Sequence, residues 1–519
     1  MMFVLVIVIV ILIYWSKGKY TYWTKRNVKY EPPLPFFGNH LPILCGKQTY
    51  PEIYSKLYTQ YNEERYVGYY KGKVPELVIR DPELLKHIFS IDFSHFHARG
   101  LGRDSKVEPL MLNLFSIDGD SWKLLRHELS PAFTISKIRS MFPVVIQCAE
   151  KLQSVADALT QNGEDVDVCN LMARFSIDLI GACGFGIDMN AINTEKSLFV
   201  EVGQMIFTKS TWQMLLYALR DMFPDNKFIN NIPIARDAIR KTILEIVNIV
   251  RDQRRNDASS KHNDFMDLLL KLESKGKMYG QSLKEKDRNG LPKQVEITFD
   301  EICLAAQLFI FFAAGFETSS TATSFTLHQL AYHPNIQYEI QAQIDDILKK
   351  YDGKLCYDSV SEMSLLEMAF KESMRIFPPG GYTTRICTKE YTLPGTDLIL
   401  EPGMKVVVPI QAIHMDPKYY NNPTEFRPER FSPDEVKTRH KYVYLPFGEG
   451  PRKCIGAHLG LYESLAGLVA ILQKFTVEPA PTSRQKHRLK RTSYLVQAVE
   501  NGLPLKFRLR GNRNESNSL

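Results

Sequence analysis

Phe447-Gly448-Glu449-Gly450-Pro451-Arg452-Lys453-Cys454-Ile455-Gly456 decides how this sequence is read. It follows the order F-x-x-G-x-R-x-C-x-G and runs into an apolar stretch with helical patterning. From average residue usage, its five fixed positions coincide by chance in about one in ten thousand chains of this length. Gly448 and Gly450 let the backbone turn tightly and approach a sulfur. Backbone N–H groups after Cys454, at the start of the next helix, can hydrogen-bond a thiolate. A lone cysteine is ordinarily a buried core thiol; a catalytic nucleophile and a zinc ligand are the other readings. The surrounding glycines, arginine and phenylalanine are not what a core thiol needs.

The rest of the chain narrows the choice. With 519 residues, 44% hydrophobic and 24% charged, the composition is globular and excludes disordered or collagen-like proteins. A core of this size needs no disulfides. The eight cysteines are sparse and form no CxxC pair, which fits reduced thiols rather than a zinc ribbon or a secreted disulfide framework. The net charge of +7 is mild for this length. It suits an anionic membrane surface or an acidic partner, and no nucleic-acid partner is expected.

The N-terminus predicts an anchor. Residues 1–15, MMFVLVIVIVILIYW, are uncharged and followed by Ser16-Lys17-Gly18-Lys19. A helix of this length rises about 22 Å, short of the roughly 30 Å hydrocarbon layer. Tyr20, Tyr22 and Trp23 would extend it into the interface while Lys17 and Lys19 snorkel. No basic region precedes the run and no small-x-small site follows, so it reads as uncleaved; a cleaved signal peptide is the alternative. Lys17, Lys19, Lys25, Arg26 and Lys29 all follow the run, which places the remainder in the cytosol. Glu31-Pro32-Pro33-Leu34-Pro35 then predicts a stiff spacer. The expected organisation is an anchor over 1–23, a basic, proline-rich hinge over 24–39, one catalytic domain over 40–510 and a frayed tail over 511–519. Asn514-Glu515-Ser516 fits a glycosylation sequon, but a cytosolic tail would not be modified.

Inside the domain, 121–255 is mostly helical in pattern and 205–223 is rich in large apolar residues. Residues 271–297 read as a polar, solvated connection. Residues 299–332 form a long helix whose centre, Leu304 to Gly315, is apolar on all sides and therefore buried. Short β patterns at 391–410 are broken by Pro394-Gly395 and Pro402-Gly403. The fold class expected is mainly α with small β-sheets, a mixed α+β chain.

Together these residues resemble the cytochrome P450 family of haem-thiolate monooxygenases. Ala314-Gly315-Phe316-Glu317-Thr318-Ser319 matches that family's oxygen-activation segment, with an acid beside an alcohol that can pass protons. Ala314 and Thr318 share a face, and Gly315 is expected to open a notch for dioxygen. A Thr hydroxyl bonding back to the carbonyl four residues earlier is the plain structural alternative. Glu372-Ser373-Met374-Arg375 and Pro428-Glu429-Arg430-Phe431 resemble the family's E-x-x-R and P-E-R-F, implying a Glu372–Arg375–Arg430 network that supports the cysteine loop. Trp122-Lys123-Leu124-Leu125-Arg126 resembles its W-x-x-x-R. The resemblance spans nearly the whole chain. Phe96-His97-Ala98-Arg99-Gly100 and Gly450-Pro451-Arg452-Lys453-Cys454 look most like insect microsomal members linked to xenobiotic clearance. At Ala457-His458-Leu459 the chain departs from relatives that carry Arg-Phe at the last two positions, and His458 is a weaker cation.

By this resemblance the fold is the cytochrome P450 fold with one N-terminal membrane anchor helix. The cofactor is haem b, iron protoporphyrin IX, with Cys454 as axial ligand and metal-binding residue. Trp122, Arg126, Arg385 and Arg452 would meet the propionates, and Phe447, Ala314, Gly315 and Gly456 would line the haem. Glu317 and Thr318 would be catalytic. Ile310, Phe311, Ala314, Thr383 and Thr384 would line a pocket for a lipophilic substrate. No flavin, nicotinamide or Walker motif is visible, so electrons from NADPH would arrive through NADPH–cytochrome P450 reductase, with cytochrome b5 as a second candidate donor. Lys453 and His458 would help to dock an acidic partner. The implied location is the endoplasmic reticulum membrane. A haem-thiolate isomerase or dehydratase acting on peroxides, and a non-enzymatic haem protein that sequesters ligands, are the competing readings. Glu317-Thr318 argues against both.

Overall fold

The computed structural model describes residues 20–194, 197–234, 237–256, 264–493 and 495–511. The apolar run 1–15 and the sequon at Asn514 lie outside them. The described part of the expected anchor departs from the prediction. Tyr20 and Trp23 are buried against the first sheet, and Trp23 Nε1 donates to Tyr69 O at 3.3 Å. An indole with a backbone acceptor in a packed interior has no reason to enter a headgroup layer. The proline-rich stretch is fastened to the first sheet through bridges Tyr30–Gly68 and Gly38–Lys71.

Helix α1 (Tyr50–Gln60) starts at a capping box in which Glu52 and Thr49 satisfy each other's backbone N–H. The chain then turns into the antiparallel strands β1 (Tyr66–Lys71) and β2 (Val74–Ile79). Helix α2 (Gly119–Leu129) carries Trp122 and Arg126. Helix α3 (Ile135–Gln161) leads to the short strand β3 (Val166–Asp167), whose Asp167 caps the buried helix α4 (Val168–Ile180). The apolar run 205–223 is two helices, α5 (Leu198–Phe207) and α6 (Thr211–Met222). They part at Ser210, which forms a capping box with Gln213.

After helix α7 (Phe265–Lys275), the stretch expected to be a solvated connection is a hairpin, β4 (Lys277–Lys286) with β5 (Pro292–Thr298). Its exposed charges hid an alternation in which Val295 and Ile297 turn toward α2 and α7. Helix α8 (Glu301–Ala331) follows, N-capped by Asp300. Its length and apolarity would suffice for a membrane span. Instead it joins two apolar clusters, Cys303–Phe316 in one and Ala322–Ala331 in the other, and its polar segment 317–321 falls between them.

Helix α9 (Ser364–Ile376) precedes β6 (Thr383–Ile386) and β7 (Lys405–Val408), which complete a four-stranded sheet in the order β1-β2-β7-β6. Helix α10 (Ala457–Leu472) follows the cysteine loop, and β8 (Phe475–Pro479) with β9 (Pro504–Leu509) pairs back onto β3. The fold is mainly α with small sheets.

Candidate active site

The loop before α10 is built by its own backbone. Cys454 N donates to Phe447 O at 2.8 Å, Gly448 N to Leu445 O at 3.0 Å, and Lys453 N to Gly450 O at 3.1 Å. Gly450 has φ +75°, and a Cβ there would lie 1.8 Å from Phe89 O, so no other residue fits. Gly456 caps α10, and its N–H draws the Cys454 thiol down. Burial pushes that thiol up more strongly, and the cations of Arg126 and Arg99 oppose it. Cys454 is nevertheless exposed, as is Ala314 in the middle of α8.

Positive charge gathers near Cys454. Arg452 pairs with Asp118 at 2.7 Å and lies over the Trp122 ring at 4.6 Å. Arg385 donates to Thr384 O at 2.8 Å and sits over Phe89 at 4.8 Å. Burial and Arg452 hold Arg385 down to about 9. Arg99, which sequence reasoning did not place in the site, donates to Phe115 O and to Arg452 O, both at 3.0 Å. Burial, Arg385 and Arg452 hold it well below the ordinary arginine range. A single arginine in a loop carries no periodic signal, which is why only the fold reveals it. The Nε atoms of Arg99, Arg385 and Arg452 are buried without a partner among the described residues. Arg126 is half-buried and lies within the field of Cys454.

On α8, Thr318 Oγ1 donates to Ala314 O at 2.6 Å, the plain structural geometry; its oxygen can still accept. Burial pushes Glu317 up to about 7. Gly315 does not open a notch for a ligand. A Cβ there would lie 2.3 Å from Ile180 Cδ1, so the glycine lets α4 close on α8. Ile310 is half-buried, while Phe311 is stacked on Phe265 with ring centroids 3.6 Å apart. Thr384 spends its hydroxyl proton on Arg99 O at 3.0 Å, and Thr383 Oγ1 accepts from Arg385 at 3.3 Å. Both threonines therefore brace the arginines.

Glu372, Arg375 and Arg430 come together away from this space. Glu372 takes Arg375 Nε at 2.7 Å and Nη2 at 2.9 Å, Arg430 Nε at 3.2 Å and Arg427 N at 3.0 Å. Arg375 gives its remaining protons to His414 O and Pro423 O, both at 2.8 Å. One further group, Glu463, went unforeseen. Glu463 of α10 is buried, accepts Ser319 Oγ at 2.8 Å and is pushed up to about 8 by burial. His458 bonds Tyr357 Oη at 2.8 Å, and burial lowers its pKa.

A profile of the family described as Cytochrome P450 matches residues 28–505. The chain belongs to the cytochrome P450 family. It is 35% identical over 481 residues to cytochrome P450 6B6 of Helicoverpa armigera, covering 92% of each chain. It is 34% identical to probable cytochrome P450 6a13 of Drosophila melanogaster, covering 96% of this chain and 97% of that one. It is likewise 34% identical to cytochrome P450 6k1 of Blattella germanica, covering 94% and 93%. As a cytochrome P450 it is a haem-thiolate monooxygenase.

The residues present fit the haem that this family carries. Cys454 is an accessible thiol on a glycine-shaped loop with N–H and cationic support. The four arginines have one carboxylate, Asp118, among them. Buried cations without counter-charge are costly, and two propionates would supply the missing negative charge.

Proposed function

We propose that this monooxygenase inserts one atom of dioxygen into a lipophilic small molecule, xenobiotic or endogenous, with electrons drawn from NADPH through a separate reductase. The observation that carries the reading is the surplus of buried guanidinium beside the accessible Cys454. Cys454 would ligate the iron, and Arg99, Arg126, Arg385 and Arg452, with Trp122, would hold the propionates. Bound haem would supply oxygen activation, which a thiolate ligand favours by pushing electron density to the iron.

The chain's own groups would do the rest. Glu317, pushed by burial up to about 7, is suited to general acid work near neutral pH. Thr318, one residue along the same helix, donates its hydroxyl proton to Ala314 O and keeps the lone pairs of Oγ1 free to accept a hydrogen bond. Ile310 and Ala314, on the helix whose Leu308, Phe312 and Phe316 join the apolar cluster of Leu110, Leu114 and Ile206, would exclude water and favour apolar substrates. Glu372, Arg375 and Arg430 would hold the fold around the cysteine loop.

The catalytic domain would face the cytosol from the endoplasmic reticulum membrane, held by residues 1–19. Trp212, Phe223 and Phe228 are 61%, 40% and 80% exposed at the surface around α6, and Leu34 and Phe37 are exposed too. Aromatic side chains bared in this way suit a bilayer interface. The test is turnover of a lipophilic panel by the membrane-expressed protein with reductase and NADPH under ¹⁸O-labelled dioxygen. Product carrying one labelled oxygen supports the proposal; isomerised product or unlabelled oxygen contradicts it.

A further inference from the structure

We propose that the hairpin β4–β5 is a docking arm for the acidic protein that delivers electrons. This deepens the reading above and rests on it. The hairpin's inner side is committed to α2. Asp120 of α2 accepts Ser282 Oγ at 2.7 Å and Leu283 N at 2.5 Å. Lys123 Nζ donates to Gln281 O at 2.8 Å, and Gly280 lies against Leu124. An isolated two-stranded hairpin is only marginally stable in water, so these contacts fix it on the helix that carries Trp122 and Arg126. That helix is the element between the hairpin and Cys454, whose charge Arg126 senses.

The outer side is left for something else. Lys277 pairs with Glu296 at 2.5 Å and Lys293 with Glu285 at 2.8 Å. Asp287 is turned into its own loop, where Oδ1 accepts Asn289 N at 2.8 Å and Leu291 N at 3.0 Å. Glu285 and Glu296 are thereby paired with lysines, and Asp287 is held by the backbone of its own loop. Lys286 and Arg288 at the tip are exposed, and neither forms an ion pair with the described residues. Leu291 is 61% exposed beside them, and Tyr279, opposite Glu296 nearer the base of the hairpin, is 65% exposed. Apolar side chains with cations at their margin suit an interface with an acidic protein, and unpaired surface cations raise association rates through steering.

The experiment uses the full-length holoprotein and full-length NADPH–cytochrome P450 reductase. Binding is measured directly at low and high ionic strength for the parent, the double variant K286E/R288E and the control K437E, whose lysine is 75% exposed on another element. Reversing two charges is expected to weaken binding about tenfold at low salt, with the gap closing at high salt. The reduced carbon monoxide spectrum should stay unchanged, because both side chains lie in solvent. Equal affinity of parent and double variant, or equal weakening by K437E, would overturn the docking arm alone. A parent that shows the thiolate spectrum but does not bind the reductase would overturn both the arm and the proposed electron source.

Discussion

Two buried charge clusters flank the helices of this domain, and they are built on opposite terms. Around Glu372, each charged group meets its complement: the carboxylate takes four donors, and Arg375 is shared between it and backbone carbonyls. Around Arg385 and Arg452, guanidiniums lie close together, and among the described residues one carboxylate serves the group and three Nε atoms lack partners. A satisfied buried network holds a fold in one arrangement. An unsatisfied one stores a deficit that only a ligand of the right charge removes. The contrast supports our proposal that the first is scaffold and the second holds an anionic group.

Breaking each cluster should have opposite consequences. Glu372→Gln leaves Arg375 and Arg430 buried with no counter-charge, so a loss of about 3–5 kcal/mol in stability is expected. Thermal unfolding and haem content would both collapse. A Glu372→Gln protein as stable as its parent would contradict the scaffold assignment. Arg385→Met removes one member of the deficient cluster. The haem-free protein should be no less stable, while haem affinity falls about tenfold through the loss of one charge-assisted contact. Titration of apoprotein with haemin, paired with urea unfolding, separates the two quantities. Destabilised apoprotein with unchanged haem affinity would erase the contrast.

Glu463 sharpens the comparison with a smaller effect. Its folded value near 8 lies above the ordinary glutamate range, so the folded state keeps a proton that the unfolded chain releases. Its contribution is fully present below the unfolded value near 4.5 and declines as pH rises toward 8. Glu463→Gln, which cannot lose a proton, should flatten stability across that window. Urea midpoints measured between pH 5 and 8 check this, and an unchanged slope refutes it.

Local pattern made some of this legible from sequence. The cysteine loop reads directly, because its glycines, arginine and cysteine are fixed within ten residues. The buried helix Glu301–Ala331 reads from apolarity on all sides. The Glu372–Arg375–Arg430 trio was implied by two short motifs. Other features depend on long-range packing. Gly315 looked like a notch, but Ile180 fills its space from 135 residues away. Trp23 looked interfacial until Tyr69 offered it a carbonyl. The hairpin was masked by its charges, and Arg99 by having no partner spacing to betray it.

The central claim is that Cys454 ligates haem iron as a thiolate. Its most direct test is the carbon monoxide difference spectrum of the dithionite-reduced, membrane-expressed protein beside Cys454→Ala. The account predicts the red-shifted Soret band of thiolate ligation in the parent and its complete absence in the variant. A red-shifted band that survives in Cys454→Ala, or a folded parent that binds no haem, would contradict it.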